Sequence, residues 1–249
     1  MEIFNAIIQS LPEGKVISVD IGLFWTAVTV EYHGILRCGL AATLSNCEFE
    51  HARLPAVEKA GQLEDSPASE LTDLVYSMSF TEVSVGLAAI NALLPPIENP
   101  VNLAAEDYIE RLGSTSKVAL IGHFPFVSNL KGRVKKLWVL ELNPKGDDLP
   151  ASQAPEIIPQ ADILAITATT LINHTFEGIF NLRKPGAKVL LIGPSTPLSP
   201  VLFEYGIDVL SGSIVEKPDA VLPLVRQGAT FRQIRSHGVR LVTVEAPGK

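Results

Sequence analysis

Cysteine is scarce, with only Cys38 and Cys47 in 249 residues. They lie nine positions apart, form no CxxC and have no histidine at zinc-ligand spacing. That argues against a disulfide framework or a structural zinc site, and a buried free thiol is expected for each. Long apolar runs are missing as well: none approaches the ~18 residues that a membrane helix needs. The opening Met1-Glu2-Ile3-Phe4-Asn5-Ala6-Ile7-Ile8 has an early acid and no basic segment of the signal-peptide kind, so a cytoplasmic protein is expected. Positive charge is also in short supply. Twenty basic against 27 acidic residues give a net charge of −7 and a pI near 5.3, which speaks against a broad nucleic-acid or acidic-membrane surface.

Most ready-made catalytic signatures are absent too. There is no GxxxxGK[ST], no GxSxG, no HExxH, and no pair of aspartates at glycosidase-like or EF-hand spacing. What remains is an ordinary globular composition, 47% apolar and 19% charged, long enough for one or two domains with a cleft between them.

The first part reads as β-rich after a short helix. Ile17, Val19 and Ile21 alternate with Ser18 and Asp20, and Val28, Val30 and Tyr32 alternate with Thr29 and Glu31. Such alternation is the pattern of half-buried strands. His33-Gly34 makes a tight turn into the stretch from Ile35 to Leu40, so an antiparallel meander is predicted. Residues 41–67 carry no sustained periodicity and read as a long, partly ordered loop. Two amphipathic helices follow, one carrying Leu71, Leu74, Val75 and Met78 and the next Val83, Leu87, Ile90 and Leu94. Pro95, Pro96 and Pro100 end the second helix and stiffen a connector, which places a domain boundary near residue 103, between 1–103 and 104–249.

Beyond it the rhythm changes to short apolar runs: Val118 to Ile121, Leu137 to Leu140, Ile163 to Ile166, Val189 to Ile192, Ile207 to Leu210 and Leu241 to Val244. Their near-continuous apolar character suits strands covered on both faces, and a doubly wound α/β domain with a parallel sheet is predicted. Asn173 is expected to cap a helix carrying Phe176, Ile179 and Phe180, and Ser199-Pro200 to open another short one.

Ligands of open α/β sheets bind beyond the carboxyl ends of the strands. Four successive strand ends here carry polar residues or glycine: Gly122-His123, Glu141-Leu142-Asn143, the stretch from Thr167 to Asn173, and Gly193-Pro194-Ser195-Thr196. Phe124 and Val127 stand where the second and third glycines of GxGxxG belong, which counts against a dinucleotide pyrophosphate. Glu141 lies 19 residues beyond Gly122, close to the spacing at which an acid takes ribose hydroxyls, and this keeps an S-adenosylmethionine-binding, methyltransferase-like protein in view. His123 is the most reactive-looking side chain, suited to general acid or base work or to metal ligation, with His174 and His51 behind it. The hydroxyls of residues 167–175 and the 193–196 turn suggest a grip on an anion or carboxylate, or helix capping by threonine. A third alternative is a non-catalytic binder of a metal or metal chelate, in which His123, Glu141 and His174 converge. Arg232, Arg235 and Arg240 form a small basic group that fits a solvated helix face about as well as a phosphate clamp.

Taken together, Val118-Ala-Leu-Ile-Gly-His-Phe-Pro, Leu140-Glu-Leu-Asn-Pro, Thr167-Ala-Thr-Thr-Leu-Ile-Asn-His-Thr and Leu191-Ile-Gly-Pro-Ser-Thr-Pro-Leu-Ser resemble the heavy-metal-chelation family. Gly86-Leu-Ala-Ala-Ile-Asn91 and the Gly22 to Thr26 turn resemble its N-terminal part. The resemblance implies an enolase N-terminal-like α+β domain followed by a Rossmann-like domain, with a cleft between them. It implies a role in heavy-metal chelation through the making or breaking of a pterin-, flavin- or siderophore-like compound. Enolase chemistry does not follow, because that domain lacks the barrel that supplies enolase's ligands and base. Carried over residue by residue, the cleft would be lined by His123 and Glu141 as catalytic groups and by Gly122, Asn143, Thr169, Thr170, Asn173, Gly193, Pro194 and Ser195 as ligand-binding groups, with Asn91 reaching in from the smaller domain. The expected partner is a small-molecule ligand, a metal chelate among the candidates. A homodimer is an open assembly state, nucleic acid and membrane are not expected, and no cofactor is identified.

Overall fold

The computed structural model describes residues 2–46, 55–97 and 100–247. Cys47 and His51 lie outside the described residues. After helix α1 (Glu2–Ile8), strands β1 (Lys15–Ile21), β2 (Trp25–Tyr32) and β3 (Ile35–Ala42) form the antiparallel meander in the order β1-β2-β3. The β2–β3 turn is a two-residue hairpin in which His33 (φ 50°) and Gly34 (φ 76°) both adopt positive φ, the backbone that matches the twist of the flanking strands.

The burial of the meander differs from the simple alternation. An irregularity between Val16 and Ser18 shifts the register of β1. Val16 is buried, whereas Ile17 and Ile21 are 38% and 42% exposed. A bulge of this kind flips which residues face the core, something alternation alone does not disclose. In β2, by contrast, both faces are covered. Val28 and Val30 join the core that includes α1 and the long helix described next, while Ala27 meets Val221, Val225 and Ile234 from the far end of the chain.

Helix α2 (Ala68–Asp73) stops earlier than its spacing suggests, passing into a tight 3₁₀ turn over Leu74–Tyr76 that leaves Met78 82% exposed. Helix α3 (Phe80–Leu93) ends before Pro95-Pro96, as expected. It lies directly on β3: a Cβ at Gly39 would stand 2.1 Å from the Ala88 carbonyl oxygen and 2.3 Å from the Ala92 nitrogen, so only glycine permits this approach.

The remaining elements are α4 (Ala105–Gly113), β4 (Lys117–Ile121), α5 (Val127–Leu130), β5 (Lys136–Glu141), β6 (Leu149–Pro150), α6 (Ala154–Ile157), β7 (Ile163–Thr167), α7 (Thr169–Ile172), α8 (Phe176–Asn181), β8 (Lys188–Ile192), α9 (Val201–Glu204), β9 (Val209–Val215), α10 (Pro218–Arg226), α11 (Phe231–Arg235) and β10 (Val239–Glu245). The sheet runs β10-β9-β8-β7-β4-β5-β6. It is parallel from β6 to β9, and β10 is antiparallel to β9 at the edge. All six apolar runs are strands, but the last is reversed, pairing antiparallel with β9 at the sheet edge. The fifth begins at Val209 rather than Ile207, and the two-residue β6 adds a strand.

Side chains alternate between the two faces of the central strands. Val118 and Leu120 of β4 pack with Tyr108 and Ile109 of α4. Ala119 and Ile121 join a core that also holds Phe176 of α8 and the side chains of α1 and α3. The smaller lobe thus supplies part of the cover of the larger sheet, and both faces are buried, as the continuous apolar runs require. The result is a mixed α/β protein built on a mostly parallel, doubly wound sheet, consistent with a Rossmann-like domain. Among the described residues no helix is long and apolar enough to cross a membrane.

Candidate functional site: a cleft at the switch in strand order

The chain enters the large sheet at β4, adds β5 and β6 on one side, then crosses back to place β7 on the other. The switch point therefore lies between β4 and β7, and Gly122 and Thr167 face one another there. Gly122 has φ 97°, and a Cβ on it would lie 3.0 Å from the Thr167 methyl group. Both backbone conformation and space thus demand glycine.

His123 follows. Its amide donates to Glu141 Oε2 at 2.9 Å, while Glu141 Oε1 accepts the Leu142 amide at 2.8 Å. Glu141 therefore clamps the backbone where β4 and β5 end side by side. The imidazole Nδ1 lies 2.8 Å from Asp148 Oδ2. Asp148 is only 5% exposed in its side chain against 44% for His123, and the same oxygen accepts the Lys145 amide at 3.1 Å. The neighbouring Asp147 points the other way, 88% exposed, where a hydrogen bond and the charge of Lys131 hold its carboxyl below the usual range.

The third strand end is tied together by its own hydroxyls. Thr167 and Thr169 are 3.0 Å apart at their oxygens, and Thr170 donates to the Thr167 carbonyl at 2.6 Å. Asn173 ends α7 rather than capping α8, and its Oδ1 accepts the Thr175 hydroxyl at 2.7 Å. Thr175 stands at the N-cap position of α8 without a side-chain cap, so the threonines brace the loop instead of capping that helix.

Two cavities open here. One of about 400 Å³ is lined by Gly122, Glu141, Thr170 and Asn173 together with His123 and Thr169. The other, of about 620 Å³, brings Gly193, Pro194 and Ser195 to the same His123 and Thr169, with Trp25 and Ala42 from the smaller lobe. The Phe124 ring borders both. It stacks on Phe126 (centroids 5.1 Å, planes 17° apart) and lies close enough to Gly122 and Gly193 that a Cβ on either would be 3.6 or 3.8 Å from its edge carbons. The two spaces therefore adjoin, sharing His123, Phe124, Thr167 and Thr169, as two compartments of one site.

Four predicted residues stand differently. Asn143 is exposed in the turn after β5 and borders neither compartment. Asn91 lies in a separate groove and acts as a tie between lobes, its Nδ2 donating to the carbonyls of Leu40 (2.8 Å) and Ser195 (3.2 Å). His174, at φ 60°, is 3.2 Å from the Val75 carbonyl and beside Phe80, away from His123 and Glu141. Ser195 lines the larger compartment but is 2% exposed, and its hydroxyl accepts the Ala42 amide at 2.8 Å.

Sequence reasoning missed Asp148, Trp25 and Phe231. For Asp148 the only signal was a Gly-Asp-Asp turn after a strand end.

Fold and site together define a doubly wound α/β protein with a ligand-sized, two-compartment cleft at its switch point. Residues 105–243 match the DUF364 family and residues 4–94 the DUF4213 family, both described as "Putative heavy-metal chelation". The chain belongs to this family. It is 29% identical over 230 residues to an uncharacterized protein of Methanocaldococcus jannaschii, covering 88% of this chain and 86% of that one. A crystal structure of a DUF364-family protein with unknown function from Desulfitobacterium hafniense superposes with a TM-score of 0.84 at 26% identity, over 98% of both chains. One from Pyrococcus horikoshii, at 22% identity, shares the fold with a TM-score of 0.82, again over 98% of both chains.

Proposed function

We propose that this protein is an enzyme that makes or breaks down a small metal-chelating compound of the pterin, flavin or siderophore kind, with His123 transferring the proton. The observation that carries the reading is the contact of His123 Nδ1 with the buried Asp148 carboxylate at 2.8 Å. With Nδ1–H donating to that carboxylate, the neutral ring presents Nε2 as a base, and the carboxylate stabilises the imidazolium that forms. Thr167 and Thr169 share one hydroxyl hydrogen between them, which leaves the other free for a ligand oxygen in which charge develops. Glu141 positions His123 through its backbone amide.

The donor set favours a metal that arrives as a chelate. Among the described residues no three His, Cys, Asp or Glu side chains are grouped to hold an ion, and His174 faces Val75 instead of His123. Binding of S-adenosylmethionine fits less well. Each Glu141 oxygen is engaged by a backbone amide, and the Phe124 ring borders Gly122 and Gly193, where a nucleoside would have to approach.

A thermal-shift panel of pterins, flavins, nucleosides and metals tests the reading. A true ligand at a hundred times its dissociation constant should add about 2.7 kcal/mol of stability, whereas calorimetry with S-adenosylmethionine should show no heat. Once a substrate is in hand, His123→Ala should retain binding and lose turnover by about a hundredfold or more. Undiminished turnover in that variant removes His123 from the chemistry.

A further inference from the structure

The larger compartment has walls that proton transfer does not use. Trp25, at the start of β2, meets Phe231 of α11 with ring centroids 5.1 Å apart, and the stacked Phe124–Phe126 pair forms another wall. Two aromatic pairs from distant parts of the chain thus border one space of about 620 Å³, a volume typical of small-molecule sites. Arg235, one turn along α11 from Phe231, lines the same space. Among the described residues it makes no salt bridge or side-chain hydrogen bond, whereas Arg226 is paired with Asp20 and Arg240 with Glu216.

An unpaired guanidinium beside aromatic faces suits a planar anion. The rings take the flat face by stacking, and the fork of N–H donors takes a carboxylate through two parallel hydrogen bonds. Glu106 stands on the same rim, with Asn129 donating to it at 2.8 Å. Its charge disfavours a second acid and so sets the polarity of the ligand. In a chain of net charge −7, attraction of an anion depends on such a local cation.

We propose that this compartment binds a planar heteroaromatic monocarboxylate, with its ring between the two aromatic pairs and its carboxylate on Arg235, and that the rest of the molecule lies towards His123, which lines the same compartment. The proposal rests on the reading of the cleft as a site for a chelator-like compound and narrows it. A ring nitrogen next to a carboxylate is itself an N,O chelating pair.

The two tryptophans, Trp25 and Trp138, supply the test. With Trp138→Phe as background, Trp25 is the sole reporter, and quinoline-2-carboxylate is titrated against it with quinoline-2-carboxamide as the uncharged control. The acid should quench Trp25 saturably. Arg235→Gln, at an exposed position, should weaken the acid by about tenfold or more, the loss of a charge-assisted pair, and leave the carboxamide and the melting temperature unchanged. Should Trp138→Phe fail to fold, the same comparison is made between the native chain and Trp25→Phe, which should lose the quench. Absence of binding, a thermal shift without quenching, or equal affinity in Arg235→Gln overturns the proposal. If the broader panel of chelators still stabilises the protein, the chelator reading survives that failure. If the acid binds through Arg235 while the panel is silent, the broader reading falls and the compartment stands.

Discussion

At the scale of single residues, chemistry depends on partners that hold a side chain in one state. His123 without Asp148 would be a half-exposed imidazole free to choose its tautomer. Asp148→Asn should preserve the fold and ligand binding and lower turnover by about a hundredfold or more, since the amide neither fixes the tautomer nor stabilises the imidazolium. A turnover unchanged by that replacement would show that Asp148 only braces the turn. Cys38 illustrates the opposite case, a reactive group made inert. Burial pushes its thiol from 9.0 up to about 12. A neutral group whose folded pKa is raised contributes stability that is complete below the unfolded value and is lost as pH climbs towards the folded one. Urea melts should therefore show an alkaline loss between pH 9 and 12 that is shallower in Cys38→Ala, the part that remains coming from groups such as Tyr108, whose phenol is likewise pushed up to about 12 by burial.

At the scale of elements, the decisive contacts are those where backbone meets backbone. Helix α3 reaches β3 only because Gly39 has no side chain. Gly39→Ala should cost about 3 kcal/mol or more in chemical denaturation, since the added carbon meets helix backbone that cannot move aside cheaply. A loss under 1 kcal/mol would mean that the helix and strand can part without disturbing the core. The edge strand β10 carries a different lesson. An apolar run records burial on both faces but nothing about direction, so Leu241 to Val244 was legible as a strand and not as an antiparallel one. In the same way, the bulge in β1 exposes Ile17, which alternation assigns to the half-buried face.

At the scale of the whole molecule, the lobes are joined too closely to behave separately. One continuous core holds Ile3 and Phe4 of α1, Leu87 of α3 and Leu164 of β7, and the Ala42 amide is hydrogen-bonded to Ser195 across the junction. Calorimetry should show one cooperative transition with equal calorimetric and van't Hoff enthalpies. Ser195→Ala should lower it by about 1–3 kcal/mol, because the Ala42 donor is left unpaired. Two resolved transitions would instead mark the lobes as independent folding units.

The succession of apolar runs, the meander and the polar strand ends follows from the amino-acid order alone, because burial on both faces and the two-residue hairpin each impose a local pattern. Those strand ends had to gather at one rim once the strands were parallel, which is why Gly122, His123, Thr169 and Gly193 were legible as neighbours. Local pattern is silent about contacts made across loops and lobes. Asp148 meets His123 from a turn 25 residues away, and Trp25, Phe124 and Arg235 border one space only because α10 and α11 fold back over the meander. Residues that far apart along the chain are brought together by packing, and packing is a property of the tertiary structure.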